Sequence, residues 1–164
     1  MRAVMISIKP EWVEKIHRRE KIWELRKSVP KTSDAHLYKI YDYETKANGG
    51  RGKVVSEWIL KEYIVYFDDT ADEQKRNQVC KNACVSKEQL SNYCNKGKRG
   101  VVYCWQIDDL KIYDQPKELS EFKVYDKMYD NVGAFGWAFG YKEKYHPLTK
   151  APQSWCYVEE LEAK

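Results

Sequence analysis

The stretch Arg19-Glu20-Lys21-Ile22-Trp23-Glu24-Leu25-Arg26-Lys27 decides how the chain is read. It packs acids and bases among bulky apolar residues. Just before it, Trp12, Val13 and Ile16 form a one-sided apolar stripe that predicts an amphipathic helix from Pro10 to Arg18. The stretch itself reads as a strand. Alternate strand residues share a face, so Ile22, Glu24 and Arg26 fall on one side and Lys21, Trp23 and Leu25 on the other. The apolar face must be buried. Glu24 and Arg26 therefore either face solvent, where their pairing is worth only ~0–1 kcal/mol, or line a cleft. Lys21 opens the strand, where its long stem can turn toward that same cleft.

Toward the N-terminus, Ala3-Val4-Met5-Ile6-Ser7-Ile8 is mostly apolar and predicts a central strand ended by Lys9-Pro10. The corner from Ser7 to Pro10 precedes a helix N-terminus and can accept an anion through Ser7 and Lys9. Pro10 brings no N–H, and simple packing of the helix on a sheet is the alternative. Toward the C-terminus, His36 to Tyr43 predicts a strand. Leu37, Lys39, Tyr41 and Tyr43 alternate there with His36, Tyr38, Ile40 and Asp42. Tyr41 or Tyr38 faces the Glu24 cleft or belongs to the core. Thr45 to Lys53, with Gly49-Gly50-Arg51-Gly52, reads as a hairpin turn. It lacks the Lys-Ser/Thr ending of a phosphate loop. Val54 to Phe67 follows as a long, bent strand whose notable polar residue is Glu57.

Residues 68–96 change character and predict two short helices inserted between strands. Ser86 followed by Gln89 is a capping box for the second. Lys96-Gly97-Lys98-Arg99-Gly100 is a basic turn, either a solvated loop or a phosphate contact through Lys98 and Arg99. Val101 to Ile107 predicts a strand and Leu110 to Tyr113 another. Residues 125–147 interleave Tyr125, Tyr129, Phe135, Trp137, Phe139, Tyr141 and Tyr145 with Gly133, Gly136 and Gly140. That pattern suits either a small aromatic lobe or a stacking platform for unpaired bases. Ala151 to Val158 reads as a closing strand. With no internal repeat and no linker, one domain over 1–164 is expected.

The totals narrow the class. The 164 residues are 43% hydrophobic and 33% charged, a globular balance, and the 13 Tyr and 6 Trp favour a β-rich fold. A net charge of +4 permits a polyanion as partner only if the charge is focused in a patch. Five cysteines, no secretory signal and no membrane-spanning run suggest free thiols and a cytoplasmic setting. The Cys80, Cys84 and Cys94 spacing lacks the tight pairs and fourth ligand of a zinc site, so neither metal nor cofactor is expected.

Four motifs together resemble the ASCH family, a branch of the PUA-like superfamily. They are Ser7 through Ile16; Glu20-Lys21-Ile22-Trp23-Glu24-Leu25-Arg26, with Arg19 where the family has glycine; Lys53-Val54-Val55-Ser56-Glu57; and Pro152-Gln153-Ser154-Trp155-Cys156-Tyr157. The resemblance implies an α+β fold, a twisted and partly closed β-barrel with short flanking helices. It places Lys21, Glu24 and Arg26 in a cleft beside the first helix. It also implies a binding module for RNA, single-stranded nucleic acid or a modified nucleoside. In that reading Ser7, Lys9, Lys21, Glu24, Arg26, Tyr41, Lys98 and Arg99 are the candidate contacts. The alternative is a hydrolase of an amide or phosphoester in a nucleoside or RNA, with Lys21 as nucleophile or base and Glu24 or Glu57 moving protons. A small bacterial branch that deacetylates acetylcytidine has the same lysine but threonine where this chain has Glu24. His17, His36 and His146 are scattered, and no Ser-His-Asp set is legible among them. Oligomeric state is not readable from the sequence.

Overall fold

Ala3, Val4, Met5 and Ile6 are fully buried. Their strand, β1 (Arg2–Ile8), has a strand partner on each side and an apolar cluster on each face, Val4 and Ile6 in one and Ala3 and Met5 in the other. The computed structural model describes residues 2–31, 38–96, 100–125 and 145–161. β1 runs parallel to β3 (Tyr38–Glu44) and antiparallel to β8 (Trp155–Glu159). Between them in sequence come α1 (Pro10–His17) and β2 (Trp23–Arg26). β4 (Val54–Phe67) leaves β3 through the Gly-rich turn, as expected of a hairpin, and pairs along its length with β5 (Val101–Lys117). β6 (Lys123–Tyr125) and β7 (Tyr145–Pro147) extend the far edge, giving the order β2-β5-β4-β3-β1-β8-β6-β7.

The sequence reads two strands over 101–113; the structure has one. Asp109 sits mid-strand with a left-handed φ of 48°, and the pairing of β4 with β5 shifts register at several points. Such irregularities bend a strand without ending it.

Among the described residues the sheet is not closed by hydrogen-bonded strands, but it curls until the β2 edge touches β1 and β8. Arg26 on β2 donates from Nη2 to Ser7 O at the end of β1 and from Nη1 to Ser154 O just before β8, both at 3.0 Å. Trp155 Nε1 donates to Ser28 Oγ at 3.0 Å, and Lys31 N donates to the Tyr157 hydroxyl at 2.7 Å. The fold is therefore α+β, a mixed eight-stranded sheet curled into a partly closed barrel.

Among the described residues three apolar clusters follow. Val4, Ile6, Ile8, Ile40, Trp58 and Trp105 fill the curl, plugged by Val13 and Ile16 of α1. Trp23 and Leu25 of β2 pack under α2 (Glu73–Ala83) and α3 (Lys87–Asn95), against Val79, Leu90 and Cys94. Ala3, Met5, Tyr41, Phe122 and Val158 form a third cluster on the other face of the sheet. Each fully buried aliphatic side chain contributes roughly 1.5–3 kcal/mol. Both inserted helices are well capped. Asp72 accepts from Lys75 N at 2.7 Å, and Ser86 with Gln89 forms the capping box that the sequence predicts. Among the described residues no helix is long and apolar enough to cross a membrane.

Candidate functional site

Glu24 stands on β2, the edge strand, whose partner β5 holds it at Trp105. Trp23 and Leu25 turn into the cluster beneath the helices, so strand alternation turns Glu24 and Arg26 the other way. Both are nonetheless buried, at 7% exposure each, and Lys21 is buried at 3%. Lys21 precedes the first residue of β2, and its stem does turn toward Glu24. Its Nζ lies 3.3 Å from Glu24 Oε2. It also donates to Trp23 O at 2.7 Å and to Ala83 O at 3.1 Å, the latter at the C-terminal end of α2. Arg26 Nε is 3.0 Å from Glu24 Oε1, an ion contact lying off the N–H axis. The three charges that the sequence sets two and three residues apart thus converge on one carboxylate.

They line a cleft of about 260 Å³ together with Ser7, Lys9, Trp12, Gln89 and Tyr93. α1 supplies Trp12, and α3 supplies Gln89 and Tyr93. Lys21 Nζ stands 5.4 Å from the Trp12 ring centroid. The Tyr93 hydroxyl donates to Leu25 O at 3.3 Å, and Lys27 lies over its ring at 4.9 Å. Burial pushes the Tyr93 phenol up from its ordinary range.

The other expected contacts divide. Ser7 reaches the cleft, and its hydroxyl donates to Pro152 O at 2.6 Å. Lys9 is at the exposed rim, 3.9 Å from Glu11. Tyr41 and Glu57 do not join the cleft. They are direct partners across β3 and β4, and Tyr41 belongs to the cluster on the opposite face. There the Tyr41 hydroxyl accepts from Leu161 N at 2.9 Å, and Glu57 accepts from the Tyr113 hydroxyl at 2.5 Å. Burial pushes the Tyr41 phenol up to about 12. The physical reason is register: Tyr41 alternates with Ile40 and Asp42, which point into the curl. Tyr38 packs in the curl rather than at the cleft. Lys98, Arg99 and Trp137 lie outside the described residues, as does most of the aromatic Gly-rich segment.

One polar group was missed. Asp42 is fully buried in the curl, accepting from Ser56 Oγ at 2.7 Å and from Trp58 Nε1 at 2.8 Å. His17 Nε2 lies 3.1 Å from Ser56 Oγ. The scattered histidines thus did conceal a His, Ser and Asp set, although the serine stands in its middle. An acid alternating in phase with Ile40 was the available signal. Cys80, Cys84, Cys94, Cys104 and Cys156 are free thiols, and burial pushes Cys104 up to about 12 and Cys94 to about 11.

No family model matches the chain, and no curated protein matches it by sequence. Solved structures do. The crystal structure of ASCH from Zymomonas mobilis matches with a TM-score of 0.62 and 17% identity, covering 96% of this chain and 88% of that one. Two point variants of the Zymomonas protein match at the same TM-score and 16% identity, over 91% and 89% of their length. The fold is that of an ASCH domain.

Within this ASCH fold the four motifs have separate places. Ser7 through Ile16 makes the corner and helix beside the cleft, and Lys21 through Arg26 makes its charged floor. Lys53 through Glu57 begins β4. Pro152 through Tyr157 leads into β8 and includes Ser154, whose carbonyl accepts from Arg26.

Proposed function

We propose that the cleft binds one base of RNA or single-stranded nucleic acid, or a modified nucleoside. The observation that carries this reading is a buried carboxylate, Glu24, lining a small pocket between rings from two helices. At about 260 Å³ the space sits below the usual range for drug-sized ligands and suits a single flat group, not a duplex. A carboxylate has about four lone-pair positions. Lys21 and Arg26 meet it as ion contacts, one at each oxygen, which leaves acceptors for the amino group of a base. Trp12 and Tyr93 offer ring faces for stacking. The two buried cations act differently from the sequence expectation. Arg26 holds main-chain carbonyls with both terminal nitrogens, and Lys21 donates to Trp23 O and Ala83 O while its charge pairs with Glu24. They orient Glu24, while a flanking phosphate falls to exposed Lys9 and, as the sequence suggests, to Lys98 and Arg99.

The contact between Lys21 and Glu24 also supports the second reading, hydrolysis of an amide or phosphoester in a nucleoside or RNA. In that reading Glu24 alone serves Lys21 as carboxylate partner, since Glu57 is on the other face. Turnover of acetylcytidine or RNA that is lost in Lys21→Ala would favour it.

The test is titration of nucleosides and short oligonucleotides against the tryptophan fluorescence of the wild type and Glu24→Gln, at low and high salt. Expected are micromolar binding of single strands that weakens with salt, and a loss of about tenfold or more in Glu24→Gln, as for one base contact of ~1–3 kcal/mol. No binding of any nucleoside, single strand or duplex at low salt would overturn the proposal.

A further inference from the structure

Three groups from three elements stand in one line. His17 ends α1, Ser56 lies on β4 and Asp42 on β3. The contacts are 3.1 Å from His17 Nε2 to Ser56 Oγ and 2.7 Å from Ser56 Oγ to Asp42 Oδ2. Ser56 and Asp42 have no exposed surface, whereas His17 is half-buried. A hydroxyl can donate on one side and accept on the other, so this line has two arrangements. In one, Asp42 holds a proton on Oδ2 and donates to Ser56, whose own hydrogen goes to a bare His17 Nε2. In the other, Asp42 is a carboxylate accepting from Ser56, and His17 carries the hydrogen on Nε2.

We propose that His17, Ser56 and Asp42 form a proton relay that charges and discharges the buried carboxyl beside the Lys21, Glu24 and Arg26 cleft. The step balances. The Asp42 proton passes to Ser56 Oγ as the Ser56 hydrogen passes to His17 Nε2, and the imidazolium so formed releases its Nδ1 proton to water. Asp42 ends ionised, and neutral His17 ends in the other tautomer.

The surroundings fit this use. Burial pushes Asp42 up to about 7, against the hydrogen bonds from Ser56 and Trp58; on β2, Glu24 pushes it further up and Arg26 draws it down. From β5, Tyr113 feels the Asp42 charge. Around His17, burial and then Arg51 hold the imidazole below its ordinary value, and Glu44 opposes them. Arg51 is tied to Glu44 by Nη2 at 2.6 Å and Nε at 3.0 Å. Near neutrality the imidazole thus favours its neutral form, while the buried carboxyl is close to evenly divided between its two forms. While Asp42 keeps its proton, Lys21 and Arg26 outnumber Glu24 by one charge; once it is released, the four groups balance. The consequence for a bound nucleoside rests on the reading given under Proposed function, but the relay does not.

The experiment is nitrogen NMR of the His17 ring across pH 5.5–8.5 in the ligand-free wild type, Asp42→Asn and Ser56→Ala. In the wild type, neutral His17 should switch from the Nδ1–H to the Nε2–H tautomer as Asp42 ionises. Asparagine mimics the protonated acid, so Asp42→Asn should hold His17 as Nδ1–H throughout. Ser56→Ala should leave the tautomer independent of pH. If that variant fails to fold, the Asp42→Asn comparison decides. A wild-type His17 that keeps one tautomer while Asp42 titrates overturns the relay, as does a switch that persists in Asp42→Asn. Nucleoside affinity should shift several-fold across the same transition. If the tautomer switches but no nucleoside binds, the cleft reading fails and the relay stands.

Discussion

At the scale of single residues, Asp42 is the most consequential group. A buried acid whose proton is held up to about 7, against 3.8 when free, makes stability depend on pH in an unusual direction. Between those values the folded chain binds a proton that the unfolded chain has released. This contribution is therefore complete at low pH and is lost as pH rises through about 7. His17 has the opposite sign. Its pKa is lowered on folding, so below its ordinary range the unfolded chain binds the extra proton and stability from this group rises with pH. Replacing Asp42 by Asn removes only the first slope. The urea midpoint of Asp42→Asn should therefore gain on the wild type as pH goes from 5 to 8. A constant difference between the two would mean that Asp42 does not titrate in this window.

At the scale of elements, local rules were legible and long-range ones were not. The hairpin turn, the long β4 and the capping box at Ser86 are written in neighbouring residues, and each is found where the sequence puts it. The strand over 101–117 was split because nothing local says that Asp109 can adopt a left-handed φ and let pairing continue. The convergence on Glu24 was readable from spacing because Lys21, Glu24 and Arg26 lie within six positions. The Asp42, Ser56 and His17 line was not, because Asp42 and Ser56 meet through the register of β3 on β4 and His17 joins them only by the packing of α1. The inserted pair α2 and α3 is clamped to the cleft strand at its edges. Ile22 N donates to Asn82 O at 2.9 Å, and Lys27 Nζ donates to Cys94 O at 2.8 Å. Since α3 carries Tyr93 and Gln89 into the cleft, its cap matters to the site. Ser86→Ala should cost about 1 kcal/mol, read by denaturant unfolding, and should raise amide exchange first in the opening turn of α3. If exchange rises equally in β1, the helix pair unfolds only with the whole.

At the scale of the whole molecule, Arg26 has two roles at once. It is one of the two cations against Glu24, and it joins β2 to the β1 and β8 side of the curl through Ser7 O and Ser154 O. A sheet in the order β2-β5-β4-β3-β1-β8-β6-β7 brings its β2 edge against β1 and β8 only by bending, and the bend needs something to hold it. Trp155 against Trp105, with ring centroids 6.3 Å apart, supplies apolar contact at the same place. In Arg26→Met the apolar contact can survive, while Glu24 keeps a single cation, Ser7 O loses the arginine and Ser154 O keeps only Ser7 N as donor. Breaking such a buried pair typically costs about 3–5 kcal/mol. The loss should also be uneven. Amides of Trp155 to Glu159 should exchange faster in Arg26→Met than in the wild type. Those shared by β4 and β5, which are held by their own long pairing, should change only in step with global stability. Uniform acceleration across β4, β5 and β8 would show that the contact of β2 with β1 and β8 is a consequence of the curl and not its fastening. The cleft would then owe its shape to the apolar filling of Trp58, Trp105 and Ile6 rather than to the arginine.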